Sequence, residues 1–240
     1  MDDSIRGNRR AILERIGEAA ARAGRDPADV EIVAVTKTVP VERIREAYAA
    51  GFRSFAENRV QERAAKQVEL EAAATYPAGE APRWHLVGPL QSNKARRAIE
   101  LFDVIETVDS LELAQRLDRL ASEIRPGQPC SVLLQVNVDE DAAKSGFEPA
   151  DLERDLPEIL GLPALAVAGL MTVGRLVEVA EAARPTFVAL RDFSERLRAR
   201  DERLGAALSM GMSGDYAVAV EEGATLVRVG SAIFGARPTG

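Results

Sequence analysis

Eight short runs of apolar and β-branched residues recur along this 240-residue chain, and a helical pattern separates each run from the next. The runs are Glu31–Thr36, Phe52–Ala56, Trp84–Gly88, Asp103–Val108, Ser131–Asn137, Leu165–Met171, Ala206–Met210 and Thr225–Gly230. Parallel strands need a crossover of about a dozen or more residues, usually a helix, so this alternation is typical of βαβ units. It constrains the fold more than any other feature of the sequence.

The segments between these runs have apolar residues at helical spacing. A first helix begins near Ser4 and ends at Gly24, before the first run. The others are Val41–Ala50, Glu57–Ala74, Ser92–Leu101, Leu111–Ile124, Pro149–Leu160, Leu176–Leu204 and Asp215–Glu222, with a short turn or helix after Ser231. Pro157 lies inside one of these patterns, where we expect a kink or a split helix.

Eight repeats in this length predict an α/β fold, a single (β/α)8 TIM barrel with an extra N-terminal helix, rather than an open doubly wound sheet. The runs are almost continuously apolar, as is typical of strands whose two faces are both covered. No Pro/Ser-rich linker divides the chain, so we expect residues 1–240 to form one domain.

The charge and the scarcity of cysteine and histidine argue against several functions. A formal net charge of −7 disfavours a nucleic-acid partner, since such proteins present a basic face. The sequence has one cysteine, Cys130, and one histidine, His85, which argues against a metal site and against Ser-His-Asp chemistry. The acidic amino terminus is no secretory signal, and the longest apolar stretch is too short to span a membrane. We therefore expect a cytoplasmic protein.

Lys37 is the first candidate for chemistry, because it directly follows the first run. In a barrel of this type the site lies at the carboxyl ends of the strands, so the Lys37 ammonium would point into the barrel mouth. Desolvation lowers the pKa of a lysine and makes its amine nucleophilic, as Schiff-base chemistry requires. The plainer alternative is that Lys37 extends its ammonium into solvent.

Two further junctions combine glycine with serine. Ser213 lies between the seventh run and a helix, and Gly230 and Ser231 lie where the eighth run enters another. Backbone N–H groups at such junctions attract anions, and the loops after strands seven and eight are the usual phosphate site of this fold. Helix capping by the two serines is the alternative. The occurrence of the pattern in both loops favours phosphate binding.

Two polar residues complete the candidates. Arg228 lies inside the eighth run, so its guanidinium must find an acceptor, either in a structural ion pair or on a ligand nitrogen or carboxylate. Asn58 follows the second run and could donate to a ring hydroxyl or cap a helix. His85, in the third run, fits a satisfied core histidine better than a ligand. The acidic run 139–141 fits a solvated loop better than a metal site.

A lysine, two phosphate-type loops and a buried arginine in one barrel together suggest a pyridoxal phosphate site. Motifs for other cofactors are missing. There is no P-loop, no GxGxxG after a strand and no GxSxG elbow, so the sequence does not support a nucleotide or dinucleotide site.

The sequence resembles the pyridoxal phosphate homeostasis protein family, whose fold is like the barrel domain of bacterial alanine racemase. The similarity extends over almost the whole chain and lies in the motifs AVTKTVP, FAENRVQE, WHLVGPLQSNKAR, VNVDEDAAKSGF, GLMTVG, LSMGMSGDY and VRVGSAIFGAR. The resemblance implies phosphate contacts for Ser213, Gly230 and Ser231 and places Asn58 close to the cofactor ring. It also implies that Arg228 faces the pyridine nitrogen.

Lys37 stands at the position that carries pyridoxal phosphate (PLP) as a Schiff base in that family. The resemblance therefore implies a PLP-binding protein of intracellular PLP homeostasis, a reservoir or carrier with no catalytic residues, and apo PLP-enzymes as candidate recipients. Racemases of this fold add a second acid/base from a domain that follows the barrel, whereas this sequence stops at Gly240, so we expect no efficient turnover. Two alternatives stay open: a PLP-dependent amino-acid racemase or decarboxylase, and a cofactor-free aldolase-type barrel using the same lysine.

Overall fold

Eight parallel strands close into a barrel in the computed structural model of this chain, each strand pairing with the next and the last with the first. The structure describes residues 4–73, 81–141, 143–174 and 177–235. The strands are β1 (Glu31–Val35), β2 (Ser54–Glu57), β3 (Arg83–Leu86), β4 (Val104–Val108), β5 (Cys130–Gln135), β6 (Leu165–Met171), β7 (Ala207–Met212) and β8 (Leu226–Val229). The predicted TIM barrel is confirmed.

Helices follow the strands as the apolar spacing predicts. They are α1 (Ile5–Arg22), α2 (Val41–Ala49), α3 (Val60–Ala73), α4 (Ala95–Leu101), α5 (Leu111–Ile124), α6 (Pro149–Ile159), α7 (Arg184–Arg200), α8 (Tyr216–Glu221) and α9 (Ser231–Phe234). The extra N-terminal helix is α1, whose first turn is capped by the Ser4 hydroxyl. The apolar face of α1 is buried and includes the side chains of Ile5, Ile12 and Ile16. No helix among the described residues is long and apolar enough to cross a membrane.

Several boundaries differ from the predictions. The third helix begins at Val60 rather than at Glu57, because Glu57 belongs to β2 and its carboxylate is buried. The long pattern Leu176–Leu204 contains a 3-10 turn, Ala180–Ala183, before α7 begins. The predicted end of one helix at Ala74 and the predicted start of another at Leu176 lie outside the described residues.

Pro157 does not split its helix, so the split that was one of the two expected outcomes is wrong, while the kink stays a prediction. α6 continues through Pro157 to Ile159 as one segment. Proline removes one backbone donor and disturbs the turn before it, and this disruption is smaller where the helix ends two residues later. The hydrogen bond that is lost is the one to the Glu153 carbonyl oxygen, one turn earlier in α6.

Hydrophobic packing lies mainly between the strands and the surrounding helices. The largest fully buried side chains there include Phe55, Phe102 and Phe187. Inside the barrel a smaller cluster contains Val33, Ala56 and Leu226. Alternate residues of a strand face opposite sides of the sheet, so each strand supplies both layers.

Candidate functional site

A cleft of about 660 Å³ opens at the carboxyl ends of the strands, where this fold places its active sites. Its walls include all six residues that the sequence singled out: Lys37, Asn58, Ser213, Arg228, Gly230 and Ser231. These residues belong to β8 and to the segments that follow β1, β2, β7 and β8, so barrel closure makes them neighbours. A cleft of this size accommodates a small cofactor.

Lys37 lies in a turn two residues beyond the end of β1. The next residue, Thr38, has a φ of 63°, which is rare for a β-branched side chain. Lys37 is half-buried and lines both the large cleft and an adjoining one of about 160 Å³. The turn therefore places the lysine side chain in the barrel mouth, as the sequence predicts.

A buried ion pair holds the backbone just before this lysine. Lys66 Nζ donates to the Thr36 carbonyl oxygen at 2.7 Å and to Glu57 Oε1 at 2.6 Å. The Thr36 hydroxyl donates to the same carboxylate oxygen at 2.6 Å. Burial raises the pKa of Glu57, while Lys66 and Thr36 act in the opposite direction. Sequence reasoning missed both charged residues, because each was assigned to an ordinary helical pattern.

Ser213 links the two loops that were predicted to hold phosphate. Its Oγ accepts from the backbone N–H of Gly230 at 3.1 Å and from that of Ala232 at 3.3 Å. Ser213 therefore caps the first turn of α9 from the neighbouring loop, and not its own helix α8, which begins without a side-chain cap. A serine oxygen that accepts both N–H groups keeps its own proton as a donor. Capping and ligand binding are thus compatible at this residue.

Gly230 leaves the wall of the cleft open beside this link. A Cβ added to Gly230 would come no closer than 3.4 Å to the Val35 carbonyl oxygen, which is an ordinary contact. The rest of the described chain therefore leaves room for a side chain here. Ser231 follows and is exposed.

Gly88 is required by a close backbone approach beside Asn58. A Cβ on Gly88 would lie 2.2 Å from the Asn58 carbonyl oxygen, well inside van der Waals contact. Only glycine lets the loop after β3 pack against the Asn58 backbone. This packing sets the position of Asn58, which is half-buried in the cleft wall.

Arg228 is 5% exposed and makes two fixed hydrogen bonds. Its Nη1 donates to Ser209 Oγ at 2.6 Å, and its Nη2 donates to the Thr172 carbonyl oxygen at 2.7 Å. Nη1 also lies 3.9 Å from Glu106 Oε2. Burial lowers the pKa of Arg228, while Glu106 and Asp215 act in the opposite direction. The guanidinium therefore has the structural ion partner that one interpretation predicts. It also borders the cleft, so a contact with a ligand stays a prediction.

Glu106 is fully buried behind this arginine. The Ser209 hydroxyl donates to Oε2 at 2.5 Å, and His85 Nδ1 lies 2.7 Å from Oε1. Burial alone would raise the pKa of Glu106, but His85, Arg228 and Ser209 outweigh it and hold that pKa below its usual value. Glu106 is therefore a carboxylate, and His85 Nδ1 must be the donor. The signal in the sequence was an acidic residue within the apolar run Asp103–Val108.

His85 is not the satisfied core histidine expected from the sequence. Its ring is buried, and Nδ1 bonds to Glu106, but Nε2 has no hydrogen-bond partner among the described residues. Buried polar atoms in native proteins are nearly always paired, so an unpaired ring nitrogen is unusual. The contact with Glu106 is the interaction that this histidine makes.

Within the acidic run 139–141, Asp139 is held by specific partners, whereas Glu140 is exposed, as expected for a solvated loop. Asp139 pairs with Lys144 Nζ at 2.7 Å and accepts from the Thr186 hydroxyl at 2.6 Å. Within the described part of the chain, no group of three or more potential ligands could hold a metal ion. Lys144 lines the cleft and was missed, although it is the one cation in the quoted motif VNVDEDAAKSGF.

Comparison with known proteins places these features in a family context. The model of the alanine racemase N-terminal domain matches residues 8–238. A pyridoxal phosphate homeostasis protein of Pseudomonas aeruginosa is 45% identical over 240 residues, covering 99% of this chain and 97% of the relative. Its counterpart in Escherichia coli K12 is 37% identical over 241 residues, covering 98% of this chain and 97% of the relative.

Solved structures give the same picture. PipY of Synechococcus elongatus PCC7942, solved with PLP bound, is 44% identical with a TM-score of 0.80, covering 93% of this chain and 100% of PipY. An alanine racemase of Clostridium difficile 630 is 18% identical with a TM-score of 0.71, covering 99% of this chain and 58% of the racemase. At that lower identity the racemase shares the fold.

Proposed function

This chain belongs to the pyridoxal phosphate homeostasis protein family, and on that basis we propose that it holds PLP on Lys37 as a reservoir or carrier, not as an efficient enzyme. The observation that carries the proposal is the single cleft in which Lys37, Arg228 and the Ser213–Gly230 link meet. Binding of PLP by PipY, which is 44% identical, supports it further.

The side chains of the cleft match the functional groups of the cofactor. PLP supplies an aldehyde that condenses reversibly with a lysine amine and releases one water, together with a phosphate and a ring nitrogen. We assign the aldehyde end to Lys37, because the other lysine of the cleft, Lys144, forms an ion pair with Asp139. We assign the wall formed by Ser213, Gly230 and Ser231 to the phosphate, because serine hydroxyls can donate to an anion and Gly230 leaves the wall open. We assign Asn58, which lines the same cleft, to the ring substituents.

Arg228 supports a holding role over catalysis. A guanidinium can only donate hydrogen bonds, and Glu106 near it favours its charged form. A cation that donates to a ring nitrogen disfavours protonation of that nitrogen. An unprotonated ring is a weaker electron sink for a substrate carbanion. The site thus suits storage of the cofactor better than racemisation.

Two ionisable cleft residues that could exchange protons with a substrate are already engaged. Lys144 forms its ion pair with Asp139, and Asp215 accepts from the Met212 backbone N–H at 2.6 Å. Efficient racemisation needs an acid and a base on opposite faces of the reacting carbon. Their engagement supports slow turnover, although Glu178 also lines the cleft. We propose apo PLP-enzymes as recipients of the cofactor.

The proposal is tested by titrating the purified protein with PLP and following the visible absorption band of the lysine-bound cofactor. We expect the band in the wild type and in Lys94→Ala, whose lysine lies outside the cleft, and no band in Lys37→Ala. Reduction with borohydride followed by mass spectrometry should place the adduct on Lys37. A colourless protein that cannot be reconstituted would overturn PLP binding.

The carrier role needs a second experiment. We expect bound PLP to reach a PLP-requiring apo-enzyme faster than it is released into buffer containing a PLP scavenger. Equal rates would mean that transfer passes through free cofactor and would count against direct delivery. Racemisation of alanine at an enzyme-like turnover of about 1 s⁻¹ or more would replace the carrier role with catalysis.

A further inference from the structure

A chain of buried hydrogen bonds runs from the cleft wall into the barrel interior. Arg228 Nη1 donates to Ser209 Oγ at 2.6 Å, and the Ser209 hydroxyl donates to Glu106 Oε2 at 2.5 Å. His85 Nδ1 bonds to the other carboxylate oxygen at 2.7 Å. Ser209, Glu106 and His85 are all inaccessible to solvent, so water does not compete for these bonds.

These buried hydrogen bonds fix the direction in which the Arg228 guanidinium points. The Ser209 hydroxyl donates its single proton to Glu106, so its oxygen can only accept a hydrogen bond from Arg228. The Thr172 carbonyl oxygen accepts from the other terminal nitrogen. Because a guanidinium is planar, two acceptors on two nitrogens determine the plane of the group. The remaining N–H groups of Arg228 then have a defined orientation at the cleft wall.

The same contacts compensate the buried charge. A buried guanidinium is costly unless an anion lies near it, and Glu106 Oε2 is 3.9 Å from Nη1. Asp215 is the second carboxylate near Arg228, on the side of the cleft. Glu106 in turn contacts His85, whose Nε2 has no hydrogen-bond partner among the described residues.

From these contacts we propose that Glu106 is a positioning residue that, through Ser209, aims Arg228 at the acceptor nitrogen of a pyridine ring. His85 holds the carboxylate from its other side. The ligand class that this arrangement selects is a heteroaromatic ring whose nitrogen carries no proton. The inference rests on the proposed function, because the ring is that of PLP.

The test uses Glu106→Gln, which keeps the size of the side chain and removes its charge. Two ligands are compared: PLP and its carba analogue, in which C–H replaces the ring nitrogen while the aldehyde and phosphate are kept. We expect Glu106→Gln to release PLP roughly tenfold faster than the wild type, the loss of part of a charge-assisted hydrogen bond. The absorption maximum of bound PLP should also shift. Release of the carba analogue should not change, because it offers no ring acceptor.

Two further variants separate positioning from stability. Ile105→Val changes the neighbouring buried residue, which packs in the main hydrophobic core on the other face of β4. Ile105→Val should lower the free energy of unfolding without changing the ratio of the PLP release rate to the release rate of the carba analogue. Ser209→Ala breaks the link and keeps the carboxylate, so it should shift the ratio in the same direction as Glu106→Gln. If Glu106→Gln does not fold, the ratio of release rates measured in Ser209→Ala decides whether the link to Glu106 positions Arg228.

The outcomes distinguish this inference from the proposed function. Equal acceleration of release for both ligands would assign Glu106 a structural role only and overturn the positioning role. Unchanged release of PLP in both variants would overturn it as well. Failure of the wild type to bind either ligand would instead remove the proposed function itself.

Discussion

Lys66 reaches from α3 to the end of β1, where its Nζ donates a 2.7 Å hydrogen bond to the carbonyl oxygen of Thr36. The same ammonium pairs with the buried carboxylate of Glu57. The backbone immediately before Lys37 is therefore anchored by a side chain 30 positions away. The lysine of the cleft depends for its position on a second lysine behind the sheet.

Lys66→Met is expected to leave the Glu57 carboxylate buried without its cation, with the Thr36 hydroxyl still donating to it. Removing one partner of a buried ion pair costs about 3–5 kcal/mol, so we expect a loss toward the lower end of this range, because Lys66 is 15% exposed. Urea unfolding measures the change. The double variant Lys66→Met/Glu57→Gln should regain part of the loss, since it removes the charge. A loss below about 0.5 kcal/mol in the single variant would show that the pair is not structural.

Glu106 is expected to make the folded protein sensitive to acid. Its folded-state pKa is lowered, although burial alone would raise it, because His85, Arg228 and Ser209 stabilise the carboxylate. The unfolded chain therefore takes up a proton near pH 4.3 while the folded protein does not, so stability falls as the pH drops below about 4.3.

The pH experiment compares the wild type with Glu106→Gln by denaturant unfolding between about pH 6 and pH 3. The advantage of the wild type should be full above about pH 5 and should shrink as the pH falls. The comparison isolates Glu106 because the other carboxyl groups are common to both proteins. An advantage that stays constant over this range would contradict the lowered pKa.

Gly88→Ala is expected to destabilise the protein and to weaken PLP binding. The new Cβ would lie 2.2 Å from the Asn58 carbonyl oxygen, so the loop or the Asn58 backbone must move. Such overpacking costs about 1–3 kcal/mol. Thermal unfolding and PLP titration measure the two effects.

Gly17→Ala is the matched control for that substitution. A Cβ at Gly17 would meet nothing within 4 Å, and the residue lies in the middle of α1. Alanine there should stabilise the protein by roughly 0.5–1 kcal/mol and leave PLP binding unchanged. A stabilising effect of Gly88→Ala as well would show that the close approach to Asn58 is not a real constraint.

Ser213→Ala is expected to weaken the binding of PLP more than that of pyridoxal, which lacks the phosphate. The substitution removes a hydroxyl donor and the acceptor that joins Ser213 to Gly230 and Ala232. We expect roughly a tenfold loss of PLP affinity, as for one charge-assisted hydrogen bond, and a much smaller change for pyridoxal. Equal losses for both ligands would indicate that Ser213 acts through the shape of the loop alone.

The barrel could be predicted from the sequence because its information is local. Strand and helix periodicity is visible within a window of about 11–18 residues, and the alternation of the two selects parallel βαβ units. The place of the site also follows, because all such barrels bind at the carboxyl ends of their strands. Lys37, Ser213 and Gly230 could therefore be chosen by position alone, and the structure brings them to one cleft.

Helix boundaries were less predictable, for a physical reason. Glu57 is a residue type that is common in the first turn of a helix. Its carboxylate is buried against Thr36 and Lys66, and this tertiary contact keeps Glu57 in β2. Local propensity is a weak preference that burial overrides. Pro157 itself is exposed, but Leu152, Leu156 and Ile159 bury one face of α6, and this packing offsets the cost of the proline.

The tertiary structure alone decided which buried polar groups pair with one another. Ser209 and Glu106 are 103 residues apart in the chain, on the non-adjacent strands β7 and β4, and they meet only across the closed interior of the barrel. Periodicity tells which face of a strand a residue occupies, but not which residue lies opposite. By itself the sequence determined the elements, their order and the end of the barrel that carries the site. Closure of the sheet determined the hydrogen-bond chain behind Arg228, because hydrogen bonds depend on distances that the sequence pattern does not contain.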